Sequence, residues 1–255
     1  MSQIIIRGKP GVNHTPIPAI IPESIHVAEF FCDTIQGEGI NIGHPAAFLR
    51  VQGCTQNCKW CDSKEVWRQG NPYSFDELFD LMDQADLPRK LFNGQHLVLT
   101  GGSPLKQLKS LYEFIMAFEE KYDFHPYIEI ENECTINPPD YFAHKIDCWN
   151  NSPKLSNSGN DDIIRYQPKI IERLACIKNS WFKFVIMGEY DWKEIEQDFL
   201  DKSLIGREQI ILMPEGATRE RLEKNREKVI EIAIRENVRY CTREHVILWD
   251  KATGV

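Results

Sequence analysis

Residues 46–63 read AAFLRVQGCTQNCKWCDS, a short apolar run followed by a loop with three cysteines spaced C-x3-C-x2-C. The run 46–51 has the length and composition of a buried β-strand. Similar strands are predicted at 27–31, 97–100, 127–131, 181–186, 210–213 and 246–249, with a further extended piece near 147–150. Helical periodicity is found at 74–85, 105–122, 138–145, 191–200 and 218–236. Because strands and helices alternate, the sequence predicts an α/β fold with a mostly parallel sheet.

About six such βα units fill residues 26–255, which we expect to form a single domain closed into a partial barrel. Ligands bind at the carboxyl ends of strands in such architectures, and the cysteine loop follows one of these ends. The polar stretch 150–162 is predicted to be a loop. Residues 1–25 are predicted to form an extended N-terminal arm because they contain Pro10, Pro16, Pro18 and Pro22.

The 255 residues carry 38 acidic and 30 basic side chains, which gives a net charge of −8. Proteins that bind nucleic acid through its phosphates normally have a basic surplus, so this balance disfavours a nucleic-acid partner. No apolar run approaches the ~20 residues that cross a bilayer. The N-terminus also lacks the basic and apolar regions of a secretory signal. We therefore expect a cytoplasmic protein with no membrane partner.

Three of the eight cysteines lie within eight residues of one another, and their spacing restricts the chemistry. Structural zinc sites use four ligands, and no fourth ligand is evident beside Cys54, Cys58 and Cys61. A redox C-x-x-C pair leaves Cys54 without a role. Three thiolates on one loop suit a cubane iron–sulfur cluster in which one iron is open to another ligand. A non-catalytic metal-binding module built on the same cysteines is the alternative from a different class.

The cysteine loop resembles that of the radical S-adenosylmethionine (SAM) enzymes, in which C-x3-C-x2-C follows the first barrel strand. Within that superfamily, other stretches resemble the 7-carboxy-7-deazaguanine synthases over residues 30–249. These are QGEG at 36–39, FLR at 48–50, CDS at 61–63, TGGSP at 100–104, SPK at 152–154 and MPEG at 213–216. The resemblance implies a partial radical SAM TIM barrel of the β6/α3 type.

The resemblance also implies a reaction and its cofactors. Cys54, Cys58 and Cys61 would hold a [4Fe-4S] cluster whose fourth iron binds the amino and carboxyl groups of SAM, and Mg²⁺ would be the third cofactor. A carbon–nitrogen lyase of this family converts 6-carboxy-5,6,7,8-tetrahydropterin into 7-carboxy-7-deazaguanine, a queuosine precursor, by a radical ring contraction that releases ammonia. A flavodoxin or ferredoxin would supply the electron, and the enzyme would be a homodimer. A radical SAM activase of a glycyl-radical protein is the second enzymatic alternative.

For the substrate, the resemblance selects Ile35, Gln36, Gly37, Glu38, Arg50, Thr100 and His245. The guanidinium of Arg50 can bind the pterin carboxylate with two parallel hydrogen bonds. The amide of Gln36 can both donate to and accept from a pterin edge. Each of these signals has a purely structural alternative: a packing arginine, a plain β-turn at 36–39, a strand-to-helix turn after Thr100 and a structural histidine.

For SAM, the resemblance selects Trp60, Gly102, Glu131, Ser152, Pro153, Lys154, Met213, Pro214, Glu215 and Gly216. Trp60 would lie beside the adenine, and the missing side chain of Gly102 lets the backbone approach a ligand. The structural alternatives are a Ser-Pro turn at 152–153 and core packing by Met213.

Three positions depart from the family pattern. Ser63 replaces the usual threonine as the Mg²⁺ ligand, and it could instead be a helix N-cap. Ser103 stands where glutamate commonly follows the two glycines, which puts a carboxylate contact to SAM in doubt. Glu133 and Cys134 replace asparagine and glycine, so we expect the backbone to differ there.

Overall fold

The computed structural model describes residues 3–7, 23–252 and 254. Within these residues ten strands form one sheet, and their order is β1-β2-β3-β5-β6-β7-β8-β9-β10 with β4 paired to β2. The strands are β1 (Gln3–Arg7), β2 (Ser24–Ile35), β3 (Pro45–Val51), β4 (Asn71–Ser74), β5 (His96–Gly101), β6 (Ile128–Asn132), β7 (Cys148–Asn151), β8 (Ser180–Ile186), β9 (Ile210–Pro214) and β10 (Arg239–Tyr240).

The sheet is mostly parallel and open. Seven neighbouring strands of the described residues, β3 and β5 to β10, run parallel to one another. β2 is antiparallel to β3, and β1 and β4 pair with β2 in the same antiparallel sense. β1 and β10 are the two ends of the strand path, so the sheet is not closed. The predicted α/β partial barrel is confirmed.

Helices cover the sheet between successive strands. They are α1 (Lys64–Trp67), α2 (Phe75–Gln84), α3 (Leu87–Phe92), α4 (Leu108–Tyr122), α5 (Asp140–Ala143), α6 (Asp162–Arg165), α7 (Pro168–Ala175), α8 (Glu189–Ile195), α9 (Arg219–Glu236) and α10 (Glu244–Trp249). Short 3₁₀ segments lie at Pro104–Gln107, Ser156–Ser158 and Arg207–Gln209, and a π-helical turn at Glu196–Leu200 continues α8. No helix of the described ranges combines the length and apolar character that a membrane span needs.

The pleat of β3 decides which of its side chains reach the candidate site. Leu49 and Val51 belong to the main core shared with the helices, whereas Phe48 packs in a separate group on the opposite face with Phe31 of β2. Because successive side chains of a strand point to opposite faces, Arg50 lies on the same face as Phe48. The sequence of β3 thus separates a core face from a face that lines the interior of the open barrel.

The helix predicted at 74–85 is confirmed as α2, and its start is fixed by the predicted capping box. The backbone N–H of Glu77 donates to Ser74 Oγ at 3.2 Å, and the N–H of Ser74 donates to the Glu77 carboxylate at 2.8 Å. Inside the core, the ring of Phe79 on α2 stacks on that of Phe114 on α4 with 5.3 Å between centroids. Burying each such ring contributes about 1.5–3 kcal/mol.

One predicted element is wrong. Residues 246–249 were expected to be a strand because they are apolar, but they belong to helix α10. The carboxyl end of this helix is held from a distant part of the chain, since Arg219 Nε donates to the carbonyl of Ile247 at 2.7 Å and Nη2 to that of Leu248 at 2.6 Å. A four-residue apolar run does not reveal contacts of this kind.

The predicted N-terminal arm is only partly described. Residues 3–7 form β1, an edge strand paired antiparallel with β2, and β2 already begins at Ser24. Residues 1–2 and 8–22 lie outside the described residues. The division of the chain into an arm and a core domain therefore stays a prediction.

Candidate active site

A cavity of about 510 Å³ opens at the carboxyl edge of the parallel strands. The cysteine loop follows β3, Gly102 follows β5, Glu133 follows β6, Ser152 follows β7 and Glu215 follows β9, and all of these segments line the cavity. Its volume is typical of small-molecule binding sites. Parallel strands that end at one edge thus bring together side chains that lie far apart in the sequence.

Nearly all residues predicted for the site line this one cavity. They are Ile35, Gln36, Gly37, Glu38, Arg50, Cys54, Cys58, Trp60, Cys61, Ser63, Thr100, Gly102, Glu131, Ser152, Lys154, Met213, Glu215, Gly216 and His245. Pro153 and Pro214 are not among its lining residues. Both are flanked on each side by residues that do line the cavity, Pro153 in a loop and Pro214 at the end of β9.

The turn 36–39 enters the cavity from the other end of the barrel. Because β2 is antiparallel to β3, its last residue, Ile35, lies opposite Pro45 at the start of β3. The turn then folds inward, where the Glu244 N–H donates to the carbonyl of Gly37 at 2.9 Å. A side chain at Gly37 would collide with the ring of His245, since a Cβ there would lie 2.2 Å from Nδ1. This close approach requires glycine.

Hydrogen bonds from other side chains reach each of the three cysteine sulfurs. Asn160 Nδ2 donates to Cys58 Sγ at 3.2 Å, Trp67 Nε1 to Cys61 Sγ at 3.5 Å and Ser103 Oγ to Cys54 Sγ at 3.5 Å. Burial raises the pKa of the Cys54 thiol, although hydrogen bonds from Ser103 and the Gln56 backbone oppose this. The raised pKa favours the neutral thiol, and a bound metal would favour the thiolate.

The three cysteine sulfurs do not lie as close together as one zinc ion would hold them. Among the described residues, Glu38, Asp62 and His245 form the one trio of potential ligands whose atoms all lie within 4.8 Å of one another. The three cysteines are absent from this group. A single tetrahedral zinc ion would bring its sulfur ligands to within about 3.8 Å of one another. The donor set fits a cluster in which each thiolate binds a different iron.

Three further features of this edge fit a bound ligand. A Cβ at Gly102 would lie 2.4 Å from Cys54 Cβ, so the backbone here runs directly over the cysteine loop. Thr100 Oγ1 donates to Glu131 at 2.6 Å, which fixes both side chains at the cavity wall. Trp60 is held in the same way, because its Nε1 donates to Asn157 Oδ1 at 3.2 Å.

A network of charges, buried except at Asp62, forms one wall of the cavity. Glu38 accepts from Lys183 and, at 2.9 Å, from Arg243 Nε, while Arg243 also pairs with Asp62. Burial opposes ionisation of Glu38, but the charges of Lys183 and Arg243 outweigh it and hold its pKa well below the usual range. Asp62 responds in the same direction to Arg243, so its pKa is also lowered. Burial lowers the pKa of His245.

Arg50 extends from β3 toward the cavity and is held by one ion pair. Its Nε lies 3.3 Å from Glu29 Oε2, and this carboxylate is almost completely buried. The terminal guanidinium nitrogens make no hydrogen bond to other described residues. Both terminal nitrogens of the Arg50 guanidinium can therefore still donate to a ligand carboxylate.

Ser63 stands at the N-cap position of α1, but its side chain caps no backbone N–H. Its Oγ lies 3.8 Å from Cys61 Sγ, so the hydroxyl stays at the cavity wall beside the cysteine loop. Ser63 therefore occupies the helix-cap position, but it does not form the hydrogen bond of a helix cap.

The sequence reasoning missed several cavity residues, among them Lys183, Glu29 and Arg243. Lys183 is a charged residue in the otherwise apolar strand β8, and Glu29 occupies a similar place in β2. A charged residue within a buried strand is rare unless it is paired. The positions of Lys183 and Glu29 within such strands could therefore have identified both as candidates for the site. Arg243 lies two residues before His245 in a polar segment and gives no comparable signal.

The comparisons with known proteins agree with this arrangement. Residues 35–130 match a family of 4Fe-4S single cluster domains. The 7-carboxy-7-deazaguanine synthase of Pyrobaculum aerophilum is 30% identical over 233 residues, which cover 90% of this chain and 97% of the relative. The synthase of Halobacterium salinarum is 28% identical over 244 residues, or 86% and 88% of the two chains.

A solved structure has the same fold. The crystal structure of QueE from Escherichia coli matches with a TM-score of 0.62 and 22% identity, over 87% of this chain and 95% of that one. At this identity the match supports the fold alone, whereas the sequence relatives extend over almost the full chain. The protein is therefore a member of the 7-carboxy-7-deazaguanine synthase family of radical SAM enzymes.

Proposed function

We propose that this protein converts 6-carboxy-5,6,7,8-tetrahydropterin into 7-carboxy-7-deazaguanine with loss of ammonia, using a [4Fe-4S] cluster, SAM and Mg²⁺. The observation that carries the proposal is the convergence of the cysteine loop, Arg50 and the turn 36–39 on one cavity. A cluster site alone would suit many reactions, but a guanidinium beside it suits a substrate with a carboxylate. Family membership favours this lyase over a glycyl-radical activase and over a non-catalytic metal module.

The cysteines would hold the cluster, which together with SAM supplies the one-electron chemistry of hydrogen abstraction. The work of the remaining residues is binding and positioning. Arg50, steadied by Glu29, would bind the substrate carboxylate, and the amide of Gln36 would meet the pterin ring edge. The ion pairs of Glu38 with Lys183 and Arg243 would keep this wall rigid when the substrate binds.

The same cavity accounts for the proposed cofactor contacts. Trp60, Gly102, Glu131 and the segments 152–154 and 213–216 would surround SAM at the strand ends. The Ser63 hydroxyl would be one Mg²⁺ ligand, since Mg²⁺ takes oxygen donors and keeps several waters. Pro153 and Pro214 would act by shaping the backbone beside them rather than by contact.

The proposal also covers the cellular compartment, the electron donor and the oligomeric state of the enzyme. All eight cysteines are free, which suits a reducing compartment such as the cytoplasm. We further propose a flavodoxin or ferredoxin as electron donor and a homodimer as the assembled form, both from the family resemblance.

The proposal is tested by reconstituting the protein with iron and sulfide under anaerobic conditions and adding SAM, a reductant, Mg²⁺ and the pterin. We expect the deazaguanine product to form, and Cys58→Ala to abolish both cluster assembly and SAM cleavage. Arg50→Ala should lower product formation far more than SAM cleavage without product. The matched control is Cys176→Ala, because Cys176 is an exposed cysteine outside the cavity.

Two results would contradict the proposal. Wild-type protein that binds no iron, or that binds iron but gives no product from the pterin, would refute the activity. Equal losses of product formation and SAM cleavage in Arg50→Ala would remove Arg50 from the substrate site.

A further inference from the structure

Glu133 is a buried carboxylate that the proposed chemistry leaves without a role. It directly follows β6, is 4% exposed and lines the cavity. One oxygen, Oε1, accepts hydrogen bonds from Thr55 Oγ1 at 3.1 Å and from Thr135 Oγ1 at 2.6 Å. The other oxygen, Oε2, is buried without a hydrogen-bond partner among the described residues. Leaving such an atom unpaired carries a considerable energetic cost.

No counter-ion in the described part of the chain neutralises this carboxylate. Glu133 takes part in none of its ion pairs, although buried carboxylates are almost always paired. The ammonium of Lys154, on a neighbouring loop, is instead bound to the carbonyl and hydroxyl of Ser152, at 2.5 and 2.8 Å. The unpaired oxygen therefore calls for a donor or a cation from a ligand in the cavity.

The position of Glu133 identifies which part of a ligand would supply this donor. Thr55, which donates to Glu133, belongs to the cysteine loop, and its N–H donates to Ser103 Oγ at 2.9 Å. Ser103 in turn donates to Cys54 Sγ. A short chain of hydrogen bonds through Thr55 and Ser103 thus links Glu133 to a cysteine sulfur. A ligand group reaching Glu133 lies beside the iron–sulfur cluster, and the groups of SAM expected there are its amino and carboxyl groups.

We propose that Glu133 binds the α-amino group of SAM and orients the methionyl end of the cofactor toward the cluster. Of the two groups at this end, only the amine can donate to a carboxylate, whereas the carboxylate of SAM would be repelled. The backbone beside Glu133 has a defined turn, in which Cys134 adopts a φ of 66° and its N–H donates to Asn132 Oδ1 at 3.3 Å. Ser103, which follows the two glycines, offers only a hydroxyl. This inference rests on the proposed function.

The test measures SAM binding to the reconstituted enzyme by equilibrium dialysis, without turnover. Glu133→Gln keeps the shape of the side chain and removes its charge, so we expect SAM to bind about 10- to 150-fold more weakly. Binding of 5′-methylthioadenosine, which lacks the amino-acid part, should change less than twofold. Glu223→Gln, an exposed carboxylate of α9, is the matched control and should leave both affinities unchanged.

A second comparison keeps the proposal testable if Glu133→Gln is poorly stable. Glu133→Asp retains the charge on a shorter side chain, so it should retain more discrimination than Gln between SAM and an analogue without the amino group. Equal weakening of SAM and 5′-methylthioadenosine, or unchanged SAM binding in a variant with full iron content, overturns the role of Glu133 alone. Wild-type protein without iron overturns the proposed function itself, so the two failures are distinguishable.

Discussion

Lys183 lies within β8 with its side chain only 6% exposed, and its ammonium is paired with Glu38, whose side chain is 13% exposed. Lys183→Met preserves much of the length of the side chain but leaves Glu38 with less of its compensating charge. We expect the free energy of unfolding to fall by about 1–3 kcal/mol, because Glu38 loses one buried partner but keeps Arg243. Urea unfolding of the two proteins measures this difference.

The control for Lys183→Met is Lys202→Met. Lys202 pairs with Asp198 on the surface, where solvent screens the interaction, so little change in stability is expected. Equal effects of the two substitutions would mean that the buried pair contributes no more than an exposed one.

The titration of His245 predicts how the free energy of unfolding depends on pH. Burial lowers its pKa in the folded protein, so below about pH 6.5 the unfolded chain takes up a proton that the folded chain resists. The unfolding free energy therefore falls on acidification through this range. We expect His245→Gln to lose less stability than the wild type between pH 7.5 and 5.5, as measured by urea unfolding at each pH.

His125 provides a control of opposite sign. Hydrogen bonding to Asp147 raises its pKa, so His125 adds stability as the pH falls, and this contribution is lost as the pH rises. His125→Gln should consequently lose more stability than the wild type over the same interval. A His245→Gln variant that follows the wild-type curve would show that burial of this ring does not affect its titration.

Among single residues, the sequence predicted those whose role follows from a local motif. Cys54, Cys58 and Cys61 are recognisable from their spacing, and Arg50 from its place just before their loop. The partners of Glu38 are not local, because Lys183 lies 145 residues away and Arg243 lies 205 residues away. Such a pairing depends on which strands become neighbours, and no local pattern contains that information.

Among the elements, helices with local start signals were predicted well and short segments were not. The Ser74–Glu77 capping box lies within four residues, so α2 could be placed from the sequence. α10 depends on Arg219, which is about 30 residues earlier in the chain and donates to its last carbonyls. The sequence of α10 alone is too short to reveal its period.

This dependence leads to a prediction for α10. Arg219→Ala removes the donors at the carboxyl end of the helix, so we expect the amides of residues 247–250 to exchange with deuterium several-fold faster. Arg226→Ala, on the same helix as Arg219 but paired only with Glu223, should leave these amides unchanged. If both variants exchange at the wild-type rate, Arg219 does not stabilise α10.

At the scale of the whole molecule, one sheet edge assembles the site from segments spread along most of the chain. Alternation of strands and helices predicted the parallel sheet, and the parallel sheet predicted that strand ends would meet. The opening of the barrel between β1 and β10 was not predictable in detail, since β10 has only two residues. The inward fold of the turn 36–39 is held by its contact with the start of α10, where the Glu244 N–H donates to the carbonyl of Gly37.

Because the cavity is lined by segments from β2 through to the residues after α10, a bound ligand should stabilise the fold as a whole. A ligand that binds only the folded protein adds about 2.7 kcal/mol when its concentration is 100 times Kd. For a chain of this size, the expected rise in Tm is about 5–10 °C. Thermal unfolding of the reconstituted protein with and without SAM measures this shift. Cys58→Ala, which should not assemble the cluster, should show little of it. An equal shift in that variant would mean that SAM binds without help from the cluster.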